Sequence, residues 1–186
     1  MKLYIQNMVS LCCKMTVASE LKKMDLYYTS LELGEVHLVK PIKKKQKANL
    51  KKALSVYGFE LMKNKKAILV EKIVAIVVNM VHHSDRFPDT NFSVFLTKKL
   101  KKDYHTLSAL FSNTKGITLE HFIILHKIER VKELIMYDEL NLSEISYQLN
   151  YSSPAHLSRQ FKKITGITPT AFKNKKDRKR IPLGTL

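Results

Sequence analysis

The spacing of apolar residues divides the chain into a mixed first part and a helical second part. Short runs of alternating apolar and polar residues predict four strands, at residues 2–8, 26–33, 35–39 and 59–62. Helical spacing predicts two helices between them, at residues 10–24 and from Pro41 to near Tyr57. This order of elements is typical of a ferredoxin-like unit. In the first helix we expect an inward face made of Leu11, Met15, Ala18 and Leu21.

Residues 67–81 form the most apolar segment of the chain, although Glu71, Lys72 and Asn79 interrupt it. β-branched residues dominate it, so a strand is an alternative to the helix that its length favours. The segment is too short and too broken to cross a bilayer. It must therefore be covered, either by packing between the two halves of the chain, which we favour, or by forming a homodimer interface.

A polar stretch with two adjacent histidines follows this apolar segment. His82, His83 and Asp85 are residue types that bind metals, but adjacent histidines in a loop are usually just exposed, so we do not expect them to hold an ion. Residues 86–90 are the predicted boundary, because Pro88 disfavours helical structure in the residue before it.

Helical spacing resumes in the second half, where residues 92–100 are expected to bury Phe92, Phe95, Leu96 and Leu100. Further along, Ser143 is predicted to cap a short helix and Asn150 to end it in the left-handed conformation. Ser153 followed by Pro154 predicts the start of the next helix, and Gly166 its end. The apolar stripe of that helix consists of Leu157, Phe161 and Ile164.

The same unit occurs twice in this half, at an offset of 50 residues. Leu107-Ser108, Phe111, Gly116-Ile117-Thr118 and Phe122 recur as Leu157-Ser158, Phe161, Gly166-Ile167-Thr168 and Phe172. Asp103 is the equivalent of Ser153, so it is predicted to cap a helix over residues 104–114. Residues 118–137 between the copies predict a helix of roughly 30 Å, close to the 34 Å or so of one DNA turn.

The double unit resembles the C-terminal DNA-binding domain of AraC/XylS-type bacterial transcription regulators. The matching stretches are 107–111, 116–118, 143–146, 151–153, 156–163 and 166–172. The resemblance covers residues 89–176 and implies two helix-turn-helix units joined by a long helix. It implies double-stranded DNA as the partner, and RNA polymerase as a further one.

The outward faces of the two repeated helices supply the candidate DNA contacts. These are His105, Thr106, Ser108, Ala109 and Ser112 in the first copy, and Ala155, His156, Ser158, Arg159, Lys162 and Lys163 in the second. Arginine pairs bidentately with guanine, so Arg159 is the strongest candidate for reading a base. Lys162 and Lys163, with Lys101, Lys102 and Lys115, are better suited to hold phosphates. Each of these residues also fits an ordinary solvated surface.

The charge of the chain favours an anionic partner but does not locate it. The net charge is +17, from 33 basic and 16 acidic residues. Residues 97–186 hold 17 of the basic and 8 of the acidic residues, so the excess is shared evenly between the two halves. The lysine run at residues 43–47 with Lys51 and Lys52 is most simply a solvated face. The alternative is that it touches DNA phosphates beside the site.

The two cysteines, Cys12 and Cys13, are adjacent, which excludes a disulfide framework and favours a reduced, cytoplasmic setting. The first residues lack the apolar run of a signal peptide. The N-terminal half also resembles the heavy-metal-associated domain, which carries Cys-x-x-Cys after its first strand. Here Ser10 and Cys13 hold those positions, so only Cys12 and Cys13 remain as soft ligands. Two reduced thiols without a metal is the simpler interpretation.

Together these patterns predict an α+β protein with four parts. They are a ferredoxin-like domain at 1–63, an apolar connecting helix and linker at 64–88, the double helix-turn-helix domain at 89–176 and a basic tail at 177–186. The predicted function is sequence-specific transcription regulation, and the alternative is metal binding or thiol sensing through Cys12 and Cys13. We expect no cofactor, no membrane association and no enzymatic activity, because the sequence lacks a nucleophile elbow, a His-Glu-x-x-His motif and a glycine-rich phosphate loop.

Overall fold

The chain folds into two compact units, Met1–Ala75 and Ile76–Leu186. The structure, a computed structural model, describes residues 1–84, 91–175 and 179–185. The first unit contains a β-sheet and the second is helical, so the predicted α+β class is confirmed. Among the helices that these ranges contain, none combines the length and the apolar content needed to cross a bilayer.

The first unit has the predicted ferredoxin-like order of elements. They are β1 (Lys2–Gln6), α1 (Leu11–Lys23), β2 (Tyr28–Glu32), β3 (Glu35–Leu38), α2 (Lys44–Ser55) and β4 (Glu60–Leu61), followed by α3 (Lys65–Val78). All neighbouring strands are antiparallel, in the order β2-β3-β1-β4. This places β1 between β3 and β4, with Leu3 opposite Val36 and Ile5 opposite Leu61.

The alternation of β1 explains how the first unit builds its core. Leu3 and Ile5 are buried on one face of the sheet, while Tyr4 points to the other. On the core face the helices contribute the fully buried side chains Val17, Leu21, Leu50 and Leu54. On the opposite face Lys72 of α3 lies 4.8 Å from the centre of the Tyr4 ring and 2.9 Å from a carboxylate oxygen of Glu35.

Two details of the first unit differ from the prediction. Leu11 and Met15 are 65% and 64% exposed, because the buried face of α1 consists of Val17, Leu21 and the carboxylate-bearing Glu20. The second helix begins at Lys44 and not at Pro41. Its start is set by Gln46, whose side-chain oxygen accepts a hydrogen bond of 3.0 Å from the backbone N–H of Lys43.

The apolar segment 67–81 is helical, so the strand alternative is excluded. It belongs to α3 and to a π-helical turn, Asn79–His83. Its buried side chains are Val70, Ile73, Val74, Val77, Val78, Met80 and Val81. These side chains are already buried in the single chain, so no partner chain is needed to cover them. Packing between the two halves and a homodimer through the segment both stay predictions.

The prediction that both histidines after this segment are exposed is wrong for His82. His82 is 8% exposed and lies 3.2 Å from His126, Nε2 to Nδ1, whereas His83 is exposed as expected. The π-helical turn turns His82 inward. Asp85 and the predicted boundary at 86–90 lie outside the described residues. Within the described ranges, no three His, Cys, Asp or Glu side chains come together as a metal site.

The second unit consists of six helices among the residues described. They are α4 (Phe92–Leu100), α5 (Tyr104–Lys115), α6 (Leu119–Tyr137), α7 (Leu142–Gln148), α8 (Pro154–Thr165) and α9 (Pro169–Asn174), followed by a 3₁₀ turn, Leu183–Thr185. A continuous core joins α6 to α7, α8 and α9 through Ile128, Val131, Ile145, Leu157 and Phe172. In α4, Leu96 is fully buried, whereas Phe92, Phe95 and Leu100 are half-buried.

Candidate nucleic-acid interface

The two helices α5 and α8 are built by the same local signals. Each has 12 residues. Asp103 caps α5 by accepting a hydrogen bond of 2.9 Å from the N–H of Thr106, and Ser153 caps α8 by accepting one of 3.1 Å from the N–H of His156. Gly116 and Gly166 end the helices with φ of 75° and 81°. This left-handed conformation strains a residue with a Cβ, so glycine is favoured at both positions.

The repeat continues into the helices that follow. Thr118 caps α6 and Thr168 caps α9, each through a hydrogen bond of 3.1 Å to its side-chain oxygen. The ring centres of Phe111 and Phe122 lie 5.0 Å apart, and those of Phe161 and Phe172 lie 5.7 Å apart. These aromatic pairs hold each outward-facing helix against the next helix at equivalent points.

The start of α7 differs from the prediction. Asn141 and not Ser143 is the N-cap, because its side-chain oxygen accepts from the N–H groups of Ser143 and Glu144 at 2.9 and 3.0 Å. Glu144 completes a reciprocal capping box, because its side-chain oxygen accepts a hydrogen bond of 2.7 Å from the backbone N–H of Asn141. The end of the helix is as predicted, with Asn150 left-handed at φ 52°.

The outward face of α8 carries the residues that the sequence singled out. Ala155, His156, Arg159, Lys162 and Lys163 are exposed, and Ser158 is half-buried. Among the described residues, none of the ion pairs involves Arg159, so its guanidinium is available to a ligand. Leu157 and Phe161 on the opposite face are fully buried. The helix therefore presents one cationic, solvated face on a rigid apolar base.

His156 is held more firmly than its exposure suggests. Its Nδ1 lies 3.0 Å from the hydroxyl of Ser152, and its ring stands edge-on to Tyr151 with the centres 5.4 Å apart. Tyr151 is anchored in turn, because its hydroxyl donates 2.8 Å to the side-chain oxygen of Gln160. With Nδ1 occupied, any contact that His156 makes with a base falls to Nε2.

The outward face of α5 is smaller and less charged. His105, Thr106 and Ala109 are exposed, and Ser108 and Ser112 are half-buried. Thr106 also donates from its hydroxyl to Asp103 at 3.3 Å, so this side chain serves the cap. The candidate phosphate contacts Lys101, Lys102 and Lys115 are exposed at the two ends of the helix. The first copy therefore offers shape and short polar groups where the second offers arginine and lysine.

Comparison with known proteins also identifies a helix-turn-helix domain in this part of the chain. Residues 96–175 match a protein family described as a helix-turn-helix domain, and this range includes both repeated units. The C-terminal half of the chain is an AraC-type helix-turn-helix domain. Its fold is shared by the C-terminal domain of AraT, a response regulator from Geobacillus stearothermophilus, with a TM-score of 0.51 and 20% identity over 64% of this chain and 92% of that one.

Curated relatives match part of this chain, over 67 to 100 residues. The HTH-type transcriptional regulator YtdP of Bacillus subtilis is 22% identical over 100 residues, which are 54% of this chain and 13% of that protein. An HTH-type transcriptional regulator of Staphylococcus aureus is 33% identical over 67 residues, 36% of this chain and 9% of that protein. Histidine kinase P4 of Formosa agariphila is 31% identical over 71 residues, which are 37% of this chain and 5% of that protein. This chain thus spans a small part of the length of these relatives.

Inside the AraC-type domain, the long helix α6 contains buried charges that the sequence pattern did not reveal. Glu129 is 2% exposed and Lys132 is 8% exposed, and their charged atoms lie 2.5 Å apart. The second oxygen of Glu129 accepts 2.9 Å from the backbone N–H of Ile181. Helical spacing gives no sign of this burial, because the contact with Ile181 joins residues that are 52 positions apart.

An ion pair between Arg180 and Glu133 also joins the C-terminal segment to α6. Glu133 accepts from Arg130 at 2.9 Å and from Arg180 at 3.3 Å. Arg180 and Ile181 of the predicted basic tail therefore contact α6 of the AraC-type domain. The backbone N–H of Ile181 gives the buried carboxylate of Glu129 a hydrogen-bond partner.

Lys127 is another residue of α6 that sequence reasoning missed. Burial lowers the pKa of its ammonium to about 8, and the ammonium lies 4.9 Å from the centre of the Tyr151 ring. Burial also raises the pKa of the Tyr151 hydroxyl above its ordinary value. Lys127 and Gln160 together fix Tyr151, which positions His156. Lys127 follows the apolar residues Ile123, Ile124 and Leu125 in α6, and this position is a signal that could have marked it.

The two thiols in the first unit do not form a metal site with other residues described. Cys13 Sγ lies 3.2 Å from the hydroxyl of Ser10, and that hydroxyl also accepts 3.3 Å from the N–H of Cys13 to cap α1. Cys12 is exposed. Ser10 therefore has a structural role at the position where the heavy-metal-associated pattern has its first cysteine, and nothing in this geometry favours the metal-binding alternative.

Proposed function

We propose that this chain is a sequence-specific DNA-binding regulator of transcription that inserts α5 and α8 into successive major grooves of one duplex. The observation that carries the proposal is the repetition of the helix-turn-helix unit, with both outward helices exposed and capped alike. Helix α6 between them has 19 residues, and about 1.5 Å per residue makes it about 28 Å long. That length is comparable to the 34 Å or so between successive major grooves on one side of B-DNA.

The different side chains on the two helices suggest a division of labour. Arg159 on α8 reads a guanine through two parallel hydrogen bonds, with His156 and Ser158 in secondary contacts. Ala155 and Ala109 suit the methyl group of thymine, and His105, Ser108 and Ser112 face the neighbouring groove. Lys162, Lys163, Lys101 and Lys102 hold phosphates, which orients the protein without specifying a sequence.

The decisive experiment selects bound duplexes from a random pool with the purified chain. The proposal expects a motif with two half-sites about 10 base pairs apart, as two helices on one face of the duplex require. A pool that shows no enrichment after several rounds, while binding falls steeply with salt, would identify a basic protein without sequence choice and would refute the proposal.

Replacing Arg159 by alanine is expected to weaken binding to the selected motif by about 1–3 kcal/mol and to relax preference at one base pair. The matched control is Arg159→Lys, which keeps the charge but loses the two-pronged geometry. The control should therefore retain the salt dependence and lose the base preference. Anisotropy titrations against the motif and its single-base variants measure both, and unchanged preference in both variants would contradict the role of Arg159.

Replacing Lys162 by alanine is expected to weaken binding to all duplexes by a similar factor. The slope of log affinity against log salt should fall by about one, since one phosphate contact is lost. Lys173→Ala removes the same charge from α9, where the ammonium is already paired with Asp138, and should change the slope little. A loss confined to one sequence would show that Lys162 reads bases.

The proposal includes two partners besides DNA. The first is RNA polymerase, to which a DNA-bound regulator would transmit its effect. In this proposal the chain acts in the bacterial cytoplasm and catalyses no reaction itself.

The second partner is another copy of the chain. A homodimer through residues 67–81 would use the half-buried Ile68, Leu69 and Ile76, because the other large apolar side chains of the segment are buried. Sedimentation equilibrium of the wild type and of Leu69→Glu tests the dimer, which the variant should weaken.

A further inference from the structure

The outward face of α2 carries four lysines in two pairs, Lys44 with Lys45 and Lys51 with Lys52, which we call the lysine quartet. All four are exposed, and Leu50 and Leu54 on the other side of the helix are fully buried. Corresponding lysines of the two pairs are seven positions apart, which is about two helical turns. The pairs therefore lie on one face of the helix, about 10 Å apart along its axis. Ala48 between the pairs and Ser55 beyond them are small and exposed, which lets a flat or grooved partner approach closely.

The chain segment around the quartet contains no acidic residue. The sequence has no Asp or Glu between Glu35 and Glu60, but it has Lys40, Lys43 and Lys47 in the same interval. The ion pairs found among the described residues of the first unit use Lys2, Lys14, Lys23 and Lys72, and none uses a lysine of α2. The quartet is therefore a concentrated positive surface that the protein does not neutralise in the part described.

Folding does not explain this arrangement. Lys44 and Lys45 lie in the first turn of α2, where the helix dipole disfavours cations, and the turn has no acidic residue. Lys47 and Lys51 add a like-charge pair at i and i+4, which further disfavours the helix. A sequence selected for helix stability alone would place acids at this end, so the lysines indicate a role outside the fold.

We propose that the lysine quartet binds phosphates of double-stranded DNA outside the base pairs read by α5 and α8, an inference that rests on the proposed function. Lysine ammonium groups act as point charges, so this contact adds affinity without sequence preference. The chain already brings its first unit close to bound DNA by covalent linkage, which raises the local concentration of phosphate. A membrane is the less favoured partner, because no exposed residue within α2 is large and apolar, although Val56 and Tyr57 just after the helix are exposed.

The test compares two variants with four Lys→Gln changes each. The quartet variant is Lys44→Gln/Lys45→Gln/Lys51→Gln/Lys52→Gln, and the control is Lys22→Gln/Lys63→Gln/Lys65→Gln/Lys66→Gln, at exposed positions outside α2. Anisotropy titrations at several salt concentrations use the selected motif in a long duplex and in one trimmed to the motif. On the long duplex the quartet variant should flatten the log–log salt slope by about 2–4, since four contacts contribute about 0.9 each.

The remaining outcomes separate this inference from the proposed function. On the trimmed duplex the quartet variant should bind like the wild type and keep its base preference, and the control should stay close to the wild type on both duplexes. An unchanged slope for the quartet variant, or an equal loss in the control, overturns the inference but leaves the base preference of α8 intact. If the wild type itself showed no base preference, that result would instead refute the proposed function.

Two accompanying measurements test whether misfolding or membrane binding accounts for the effect of the quartet. Far-UV circular dichroism of both variants should match that of the wild type, because Gln is nearly as good a helix former as Lys. Vesicles containing phosphatidylserine should not bind the wild type at physiological salt. Vesicle binding that depends on the quartet, together with an unchanged DNA slope, would replace DNA by an anionic membrane as the partner.

Discussion

Replacing Phe161 by alanine is expected to lower the free energy of unfolding of the AraC-type domain by about 3–5 kcal/mol. The side chain is fully buried, and its ring packs edge-on against Phe172 with the centres 5.7 Å apart. Its removal leaves a cavity between α8 and α9 and a ring without its partner. Since domains of this size are stable by only about 5–15 kcal/mol, the loss is a large part of the total.

Urea denaturation combined with amide hydrogen exchange within residues 142–174 measures this effect in the second unit. The twin replacement Phe111→Ala should cost a similar amount, because Phe111 is also fully buried and packs against Phe122. The matched control is Tyr147→Ala, which removes an aromatic ring that is 76% exposed and should stay within about 0.5 kcal/mol of the wild type. Equal costs for Phe161→Ala and Tyr147→Ala would show that the repeated aromatic pairs do not support the recognition helices.

Mild acid is expected to destabilise the second unit through His82 and His126. Burial lowers the pKa of His82 to about 3, with the nearby cations Arg130 and Arg180 and the neighbouring His126 acting in the same direction. Burial also lowers the pKa of His126 to about 4. Glu133 lies 3.9 Å from His82 Nδ1, but its carboxylate already pairs with Arg130 and Arg180, so it does not offset the burial.

The direction of the pH effect follows from these lowered values. An unfolded histidine takes up its proton near pH 6.5, whereas the folded pair stays neutral until far lower pH. Between those limits the unfolded chain binds more protons, so the free energy of unfolding falls as the pH falls. Because the pKa of His126 falls from 6.5 to about 4, its burial in the neutral form contributes on the order of 3 kcal/mol to stability. This contribution is fully present above about pH 6.5 and is lost as the pH falls towards 4.

Denaturation curves between about pH 7 and 5 isolate this contribution, because carboxylates remain ionised there. His82→Asn/His126→Asn should be less stable at pH 7 but should depend less on pH over this range. His121→Asn removes an exposed histidine from the same helix as His126 and should leave the pH dependence unchanged. A wild type whose stability is flat from pH 7 to about 5 would show that the two rings are not held neutral in the fold.

The features that sequence reasoning predicted correctly depend on residues close together in the chain. The caps Asp103 and Ser153, the left-handed Gly116 and Gly166 and the apolar stripe of α8 each involve neighbours within about one or two helical turns. The offset of 50 residues then revealed that the whole unit occurs twice. The ferredoxin-like order was accessible for the same reason, since alternation and helical periodicity are local properties of a segment.

The features that it missed depend on contacts between distant segments. His82 and His126 are 44 residues apart, and Glu129 and Ile181 are 52 apart, so no local pattern signals their burial. The exposure of Leu11 has the same origin, because the face that α1 buries is chosen by the sheet and by α2.

Helix caps and amphipathic periodicity depend on residues that are close together in the chain. The double helix-turn-helix unit and its outward side chains could therefore be predicted from the amino-acid sequence alone. Burial of a charge or an imidazole is the result of which surfaces meet after folding. The desolvation that shifts the pKa of His82 and His126, and the enclosure of Glu129 by the C-terminal segment, therefore exist only in the packed molecule.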